Sequence, residues 1–419
     1  MDIVDDLLDF GEKVFKVNIR YYLKNVSYLF FIEIVLIILG VLFTVVFTRL
    51  MTKEAFGQYN YVLSIIGLFS IFSLQGLSIS LMRSVSKGFD GDIWNATKTR
   101  LRWSLIGSVI IGIISLYFFI VEPTNNLYLY ILLCAIFFSV FTCFDTYNFI
   151  LYGKRMFKTA TKLILLFNFV TIGITILVIY FTKTLLFIIL GFLIASSVTH
   201  LSIFNYIVLK VKSNDKKEKT TISYGKHLTL NQAVINILPF ADKIVVASLL
   251  GFVDLAVYSI AVPLSEKLKK LVMALNNVIF PDLVRMKPKN CYAIIKNKAI
   301  YVILFSSIIA FIGILLAPFI IDFLYTKEYS AAILYIQILL ISLVITTTSL
   351  LLYNALQAQK AIKELYFYNT SITFFEIITM IIMIIFFGLL GAVITKVISR
   401  TYGLGLLLYL TKRHELSSY

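Results

Sequence analysis

The chain has 419 residues, 60% of them hydrophobic, with a mean hydropathy of +0.92 and a formal net charge of +16. Soluble domains sit nearer half apolar, and apolar runs of about twenty residues recur here from end to end. This excludes a soluble globular protein, and the runs are too long and too uniform for the alternating segments of a β-barrel. The basic charge does not point to nucleic acid, because the lysines and arginines fall mostly in alternate short loops and no loop is long enough to carry a soluble basic module. The expected fold is all-α, a polytopic integral membrane protein.

Residues 1–27 come first. Asp2, Asp5, Asp6, Asp9 and Glu12 precede Lys13, Lys16, Arg20 and Lys24, whereas a cleavable signal places its basic residues directly before an apolar core. Ile3, Val4, Leu7, Leu8, Val14 and Phe15 suit an amphipathic helix at the cytoplasmic surface; a frayed terminus is the plainer alternative. About twelve spans follow, at 28–48, 57–82, 101–121, 127–152, 160–181, 184–210, 224–250, 253–280, 297–325, 329–357, 363–387 and 388–411. One set of loops carries Lys87, Lys98, Arg100, Lys154, Arg155, Lys216, Lys287 and Lys412 among many other basic residues. The opposite set carries only Arg49, Lys53, Lys183 and Lys327. That asymmetry, roughly seven to one, puts the first set and both termini in the cytoplasm.

The most polar linker, KSNDKKEKTT at Lys212 to Thr221, joins the sixth span to the seventh. A charged, flexible linker at this midpoint divides the chain into a six-helix lobe at 28–211, a linker at 212–223, a second six-helix lobe at 224–411 and a tail at 412–419. An internal repeat agrees. Phe56-Gly57-Gln58-Tyr59 follows the first span and Leu255-Ala256-Val257-Tyr258 follows the seventh, each with a small residue two before a tyrosine. Both repeats start inside and run outward, so the halves are parallel repeats.

Polar groups inside spans are costly and mark function or pairing. On the seventh span, Gln232, Asn236, Pro239 and Lys243 recur at helical spacing, with Asp242 beside Lys243. Pro239 removes one backbone donor and invites a kink. The eighth span carries Glu266-Lys267 and Lys269-Lys270; Glu266 and Lys270 stand four apart and can pair. Lys269 and Lys270 can also snorkel to the surface, which suits Lys267 less. The eleventh span aligns Tyr366, Asn369, Thr373 and Glu376, and the twelfth sets Lys396 and Arg400 one turn apart. In the first half Glu33, Asp145 with Asn148, and Asn168 with Thr171 and Thr175 form a weaker polar lining. The expected substrate-binding set is Lys243, Lys267, Lys270, Arg400, Lys396, Glu376, Asp242, Asn236 and Asp145. Its basic excess favours an anionic headgroup. Two pairings are anticipated inside it: Asp242 with Lys396 or Arg400, and Lys243 with Glu376.

Signals for catalysis are poor. Asp90-Gly91-Asp92 has the carboxylate spacing of a metal–sugar-nucleotide site but lies in a loop too small to cradle a nucleotide. His200, His227 and His414 have no metal-ligand neighbour one turn away, and no phosphate-binding Gly-rich lysine loop is present. Cys134, Cys143 and Cys291 are too scattered for a disulfide framework or a zinc site and read as packing residues. No enzyme, metal or organic cofactor is expected.

KNVSYLF at Lys24 to Phe30, FGQY at Phe56 to Tyr59, ADKIVVASLLGFVDLAVYSIA at Ala241 to Ala261 and FLYTKEYSAA at Phe323 to Ala332 resemble the polysaccharide transporter family. That family includes the Wzx-type O-antigen flippases of the multidrug/oligosaccharidyl-lipid/polysaccharide exporter superfamily. The resemblance implies two six-helix lobes around a cationic cavity in the cytoplasmic membrane. It implies flipping of undecaprenyl-diphosphate-linked oligosaccharide by alternating access, for cell-surface polysaccharide such as the O-antigen of lipopolysaccharide. The implied partners are that lipid-linked glycan, membrane lipids and polysaccharide polymerase machinery. A coupling ion, H+ or Na+, is implied without any residue to hold it. The runner-up reading is a multidrug or cation antiporter of the same superfamily, which would prefer an acidic cavity.

The topology is open to a direct test. Single cysteines placed by Lys154→Cys and Lys216→Cys should react with a membrane-impermeant thiol reagent only from the cytoplasmic side, and Asn125→Cys only from outside. Labelling of position 125 from the cytoplasm would reverse the orientation.

Overall fold

The computed structural model describes the backbone of residues 19–211, 214–285, 291–359 and 361–417. It describes their side chains except at 19–30, 231–232, 234–235, 270–285, 291–299, 301, 358 and 415–417. The amphipathic helix expected before residue 19, and the side chains of Gln232 and Lys270, lie outside the described residues. Every regular element among them is helical: α1 (Ile19–Leu50), α2 (Lys53–Phe69), α3 (Gln75–Ser86), α4 (Asp92–Val121), α5 (Leu127–Cys143), α6 (Tyr147–Gly153), α7 (Phe157–Thr182), α8 (Leu185–Lys210), α9 (Thr221–Leu250), α10 (Phe252–Arg285), α11 (Cys291–Leu324), α12 (Ala331–Ile341), α13 (Leu343–Ala358) and α14 (Ile362–Ser417). Taken along the chain they form twelve helical spans, because the second, fourth and tenth are each two helices joined by a short break and α14 is two spans joined at a kink. Among the described residues, nine stretches are long and apolar enough to cross a membrane, and neither α9 nor α10 is among them.

The kink in α14 sits at Gly388, with φ 56° and ψ −140°, a conformation open in practice to glycine alone. Beyond it the two arms run antiparallel. The Ser371 and Tyr402 hydroxyls are 2.6 Å apart, Phe375 stacks on Tyr402, and Glu376 faces Lys396. Gly391 closes the turn, since a Cβ there would meet the Met383 carbonyl oxygen at 2.0 Å.

The chain divides into two compact units. One comprises the described residues up to Val46 with Phe72–Thr229; the other comprises Phe47–Ile71 with the residues from Leu230 onward. The second unit therefore includes α2, which sequence order alone places with the first six spans. The reason lies in the repeat. Gly57 of α2 packs against the backbone of Phe252, where a Cβ would stand 1.8 Å from the carbonyl oxygen, and Tyr61 meets the Phe252 ring edge-on. The first motif thus meets the start of α10 through its glycine, just ahead of the second motif, and the tyrosines of both motifs, Tyr59 and Tyr258, are buried.

In the first unit, Arg100 corrects its reading as a loop cation. It is 1% exposed, inside α4. The second span breaks at Leu74, which adopts a left-handed φ of 52°, and the fourth breaks at Phe144–Thr146. Each break frees backbone carbonyls that lipid cannot satisfy. The Arg100 guanidinium donates to Ser73 O, Thr142 O and Cys143 O, and its charge is balanced by Asp145 at 2.8 Å. Asp145 is therefore engaged as a structural counter-ion. The neighbouring polar candidates are also locally engaged, with Asn168 donating to Ile164 O and Thr175 to Thr171 O.

The linker is docked where a flexible tether was expected. The Asp92 carboxylate accepts from Ser84 Oγ, Thr221 Oγ1 and Glu218 N. Asp90 takes Lys154 at 2.6 Å and the Asn214 amide, and Gly91 N donates to Lys216 O. The Asp90-Gly91-Asp92 carboxylates hold this chain's own linker, which accounts for their spacing.

Gly388→Ala should cost about 1–3 kcal/mol, because no L-residue adopts that φ and ψ without strain. Gly405→Ala, on the same helix with open space around its Cβ position, should be neutral or slightly stabilising. Thermal melting of the two purified variants separates them; equal melting temperatures would show that the kink does not depend on glycine.

Candidate functional site

The charged groups of the second half converge on one cavity of about 450 Å³ inside the second unit. Its wall includes Pro239, Asp242 and Lys243 from α9, Glu266 and Lys269 from α10, Thr346 and Ser349 from α13, and Tyr368, Glu376, Lys396 and Arg400 from α14. The helix α9 runs unbroken through Pro239, which lines the cavity.

Lys396 is the centre of one cluster. Its ammonium lies 2.7 Å from Asp242 Oδ2 and 2.6 Å from Glu376 Oε1. Tyr258 donates to the same Asp242 oxygen at 3.0 Å, and Ser399 donates to Glu376 Oε2 at 2.7 Å. Asp242 and Glu376 are 3% and 7% exposed, so neither carboxylate has bulk water to fall back on. Ser399 is one turn beyond Lys396, and that spacing lets one helix face hold both oxygens of Glu376.

Glu266 is the centre of the other. Its Oε1 accepts from Arg400 Nη2 at 2.7 Å and its Oε2 from Lys269 Nζ at 2.9 Å. Arg400 is fixed from behind, donating through Nη1 to Leu339 O at 3.3 Å and to Ser342 Oγ. Those two groups belong to the break between α12 and α13, so Arg400 caps a helix end while presenting its other face to the cavity. The Lys243 ammonium stands apart from both clusters, with no hydrogen bond or ion pair among the described residues.

Of the residues anticipated from sequence, Asp242, Lys243, Glu376, Lys396 and Arg400 come together here. The Asp242–Lys396 pairing is as expected. One other differs. Glu376 pairs with Lys396 and Ser399 instead of Lys243, because the hairpin in α14 brings the eleventh and twelfth spans face to face. Glu266 takes Lys269, at i+3, and Arg400 from another span; its expected partner Lys270 has its side chain outside the described residues. Among the eighth-span lysines it is Lys269, read as able to snorkel, that lines the cavity; Lys267 is half-buried and outside the lining. Asn236 is exposed and outside the lining too, Asp145 belongs to the first unit, and Tyr366 at the end of the eleventh-span stripe is exposed. Tyr258, Ser399, Ser342 and Tyr368 were not anticipated as site groups; Ser399 alone had a signal, its place one turn from Lys396.

Comparison with solved structures defines the class first. The chain has the fold of MOP-superfamily transporters and flippases. It is similar to the lipid II flippase MurJ in an inward closed conformation, with TM-score 0.70, 16% identity, 94% of this chain covered and 89% of that one. An inward-facing MATE family multidrug resistance transporter gives TM-score 0.66 and 16% identity over 90% and 94% of the two chains. A MOP-superfamily transporter from Pyrococcus furiosus, described as having a binding pocket of reverse polarity, gives TM-score 0.61 and 16% identity over 93% and 95%. A family model described as polysaccharide biosynthesis protein matches residues 22–287, and the chain belongs to that family. No curated protein matches it by sequence.

The geometry ranks the ion pairs. Lys396→Gln leaves two buried carboxylates facing each other and should lower stability by about 3–5 kcal/mol. Glu376→Gln leaves Lys396 paired with Asp242 and should cost less. Lys243→Gln and Glu376→Gln should be additive in a double-mutant cycle, within about 0.5 kcal/mol, because they share no contact. Chemical or thermal unfolding of the variants provides the measurement, and a coupling well above that bound would restore the Lys243–Glu376 pair.

Proposed function

We propose that this protein flips a polyprenyl-diphosphate-linked oligosaccharide across the cytoplasmic membrane for cell-surface polysaccharide assembly, with the diphosphate held in the cavity of the second unit. The observation that carries the reading is the Lys243 ammonium, which lines the cavity with no hydrogen bond or ion pair among the described residues. A cation kept out of bulk water and unpaired is costly, and an anionic ligand removes that cost. The whole lining supports the same sign, with Lys243, Lys269, Lys396 and Arg400 against Asp242, Glu266 and Glu376, a balance of one positive charge.

The charges are not spread evenly. Around Lys396 the two carboxylates outnumber the cation, whereas Lys269 and Arg400 share Glu266 and Lys243 has no ion pair among the described residues. The anion-attracting side therefore carries two net positive charges, which matches the two ionised oxygens of a diphosphate diester. The hydroxyls and amides of a glycan cannot enter hydrocarbon without partners, each costing on the order of a few kcal/mol. The Tyr368, Thr346 and Ser349 groups of the lining offer such partners near the anion site. Membership in the polysaccharide biosynthesis family favours a glycan over a cationic drug, and the cation excess argues in the same direction. The coupling ion and the orientation, with both termini cytoplasmic, complete the proposal as expectations from sequence.

Lys243→Gln should leave abundance and folding unchanged and reduce export of the lipid-linked glycan at least about tenfold, the size of one lost charge-assisted contact. The measurement pairs membrane abundance with surface glycan in a deletion strain carrying the variant. Full export from Lys243→Gln at normal abundance would sink the diphosphate reading. Resistance to cationic dyes conferred by the wild type, and lost in the same variant, would favour the antiporter.

A further inference from the structure

Glu266 is an anomaly in a cavity read as an anion site. It is a carboxylate, its side chain is 38% exposed, and it is held at both oxygens by the two cations best placed to receive an anion. Arg400 meets one oxygen and Lys269 the other, at 2.7 and 2.9 Å. This is the arrangement in which an arginine and a lysine grip a phosphate, with a carboxylate in the phosphate's position. The cations differ in how firmly they are held. Arg400 is anchored on Leu339 O and Ser342 Oγ and stays in place whatever it binds. Glu266 is bound only through its charge, on a side chain of three rotatable bonds, and it is the most exposed carboxylate among the described cavity residues.

We infer that Glu266 is an internal stand-in for the substrate's diphosphate: it fills the seat formed by Arg400 and Lys269 while the cavity is empty, and an entering diphosphate displaces it. The inference rests on the reading of the cavity as a diphosphate site. It assigns Arg400 and Lys269 as the second contact point beyond Lys243 and gives Glu266 the role of a specificity-determining competitor. Without Glu266, Arg400 and Lys269 would face each other without that shared partner at the cavity wall. With it, an anion has to outcompete a tethered carboxylate. A ligand with one negative charge replaces Glu266 with nothing gained, whereas a diphosphate reaches Lys243 as well. The exchange therefore sets a threshold that a dianion, through Lys243, clears and a monoanion does not. It also leaves Glu266 free on the substrate-bound protein, with Lys269 close enough on the same helix face to follow it.

The test is binding of inorganic pyrophosphate to the purified, detergent-solubilised full chain by isothermal titration calorimetry. Glu266→Gln keeps the shape and removes the competing charge, so it should bind pyrophosphate at least about tenfold more tightly than the wild type. Adding Arg400→Gln to Glu266→Gln should abolish that gain. Acetate, a monoanion, should show no measurable binding in the wild type and measurable binding, still weaker than that of pyrophosphate, in Glu266→Gln. If Glu266→Gln fails to accumulate, Glu266→Asp keeps the charge, withdraws it by one methylene and should shift affinity in the same direction by a smaller factor. Affinity in a folded Glu266→Gln or Glu266→Asp that equals or falls below wild type overturns the inference. The outcome is separable from that of the function itself. Tighter binding in Glu266→Gln with full export from Lys243→Gln would retain the stand-in and remove the lipid-linked diphosphate as its ligand; lost export from Lys243→Gln with unchanged pyrophosphate affinity in Glu266→Gln would do the reverse.

Discussion

The second unit depends on Lys396. An ammonium with Asp242 at 2.7 Å and Glu376 at 2.6 Å ties α9 to both arms of the α14 hairpin through a single atom. In water such contacts contribute little. Here the two carboxylates are almost fully buried, and their mutual repulsion is unopposed if the cation is lost. The constraint is one of mutual necessity: none of the three charges tolerates the site alone, so the three helices that carry them are held in one register. That register places Arg400, one turn beyond Lys396, against the break between α12 and α13. It also leaves Lys243, which points ~100° away from Asp242 around the helix, facing the cavity.

Two arginines solve the same problem in the two units. Breaks in a helix expose carbonyl groups, and in an apolar environment these need donors from the protein itself. Arg100 supplies three of its hydrogen bonds to the carbonyls at the breaks in the second and fourth spans. Arg400 does so at the tenth with Leu339 O. The two counter-ions are about equally exposed, Asp145 at 39% and Glu266 at 38%. The difference lies in the arginines: Arg100 is fully buried with three carbonyl partners, whereas Arg400 lines a cavity. The same physical device is structural in one unit and, on the inference above, open to ligand exchange in the other.

The repeat has a mechanical meaning. Gly57 is small because α2 and the start of α10 approach closely there, with Gly57 against the Phe252 carbonyl. The tyrosines two residues beyond Gly57 and Ala256 are both buried, and Tyr258 has become part of the charge network through Asp242. The glycine of the first repeat is therefore part of the contact that gathers α2 into the second unit. The docked linker shows a related economy. Asp90 and Asp92 spend their acceptors on Asn214, Glu218 and Thr221, so the carboxylate spacing that resembles a metal site is occupied by the chain itself.

Hydropathy and helical spacing alone were enough to reveal a polytopic all-helical protein, because burial in lipid demands long apolar runs and that demand is written locally. The polar stripe of Asp242, Lys243, Glu376, Lys396 and Arg400 was legible for the same reason, since each residue violates the local rule. What the stripe could not show is which charge meets which. Pairing depends on how spans pack, and periodicity constrains only residues on one helix. The Gly388 hairpin set Glu376 opposite Lys396 and so released Lys243, and the break after Ile341 drew Arg400 to Glu266. Arg100 looked like a loop cation because its span begins earlier than hydropathy suggests; only the packed helices showed that its charge belongs to the carbonyls of two broken neighbours. Local composition determined that these groups must be satisfied, and the three-dimensional packing decided by whom.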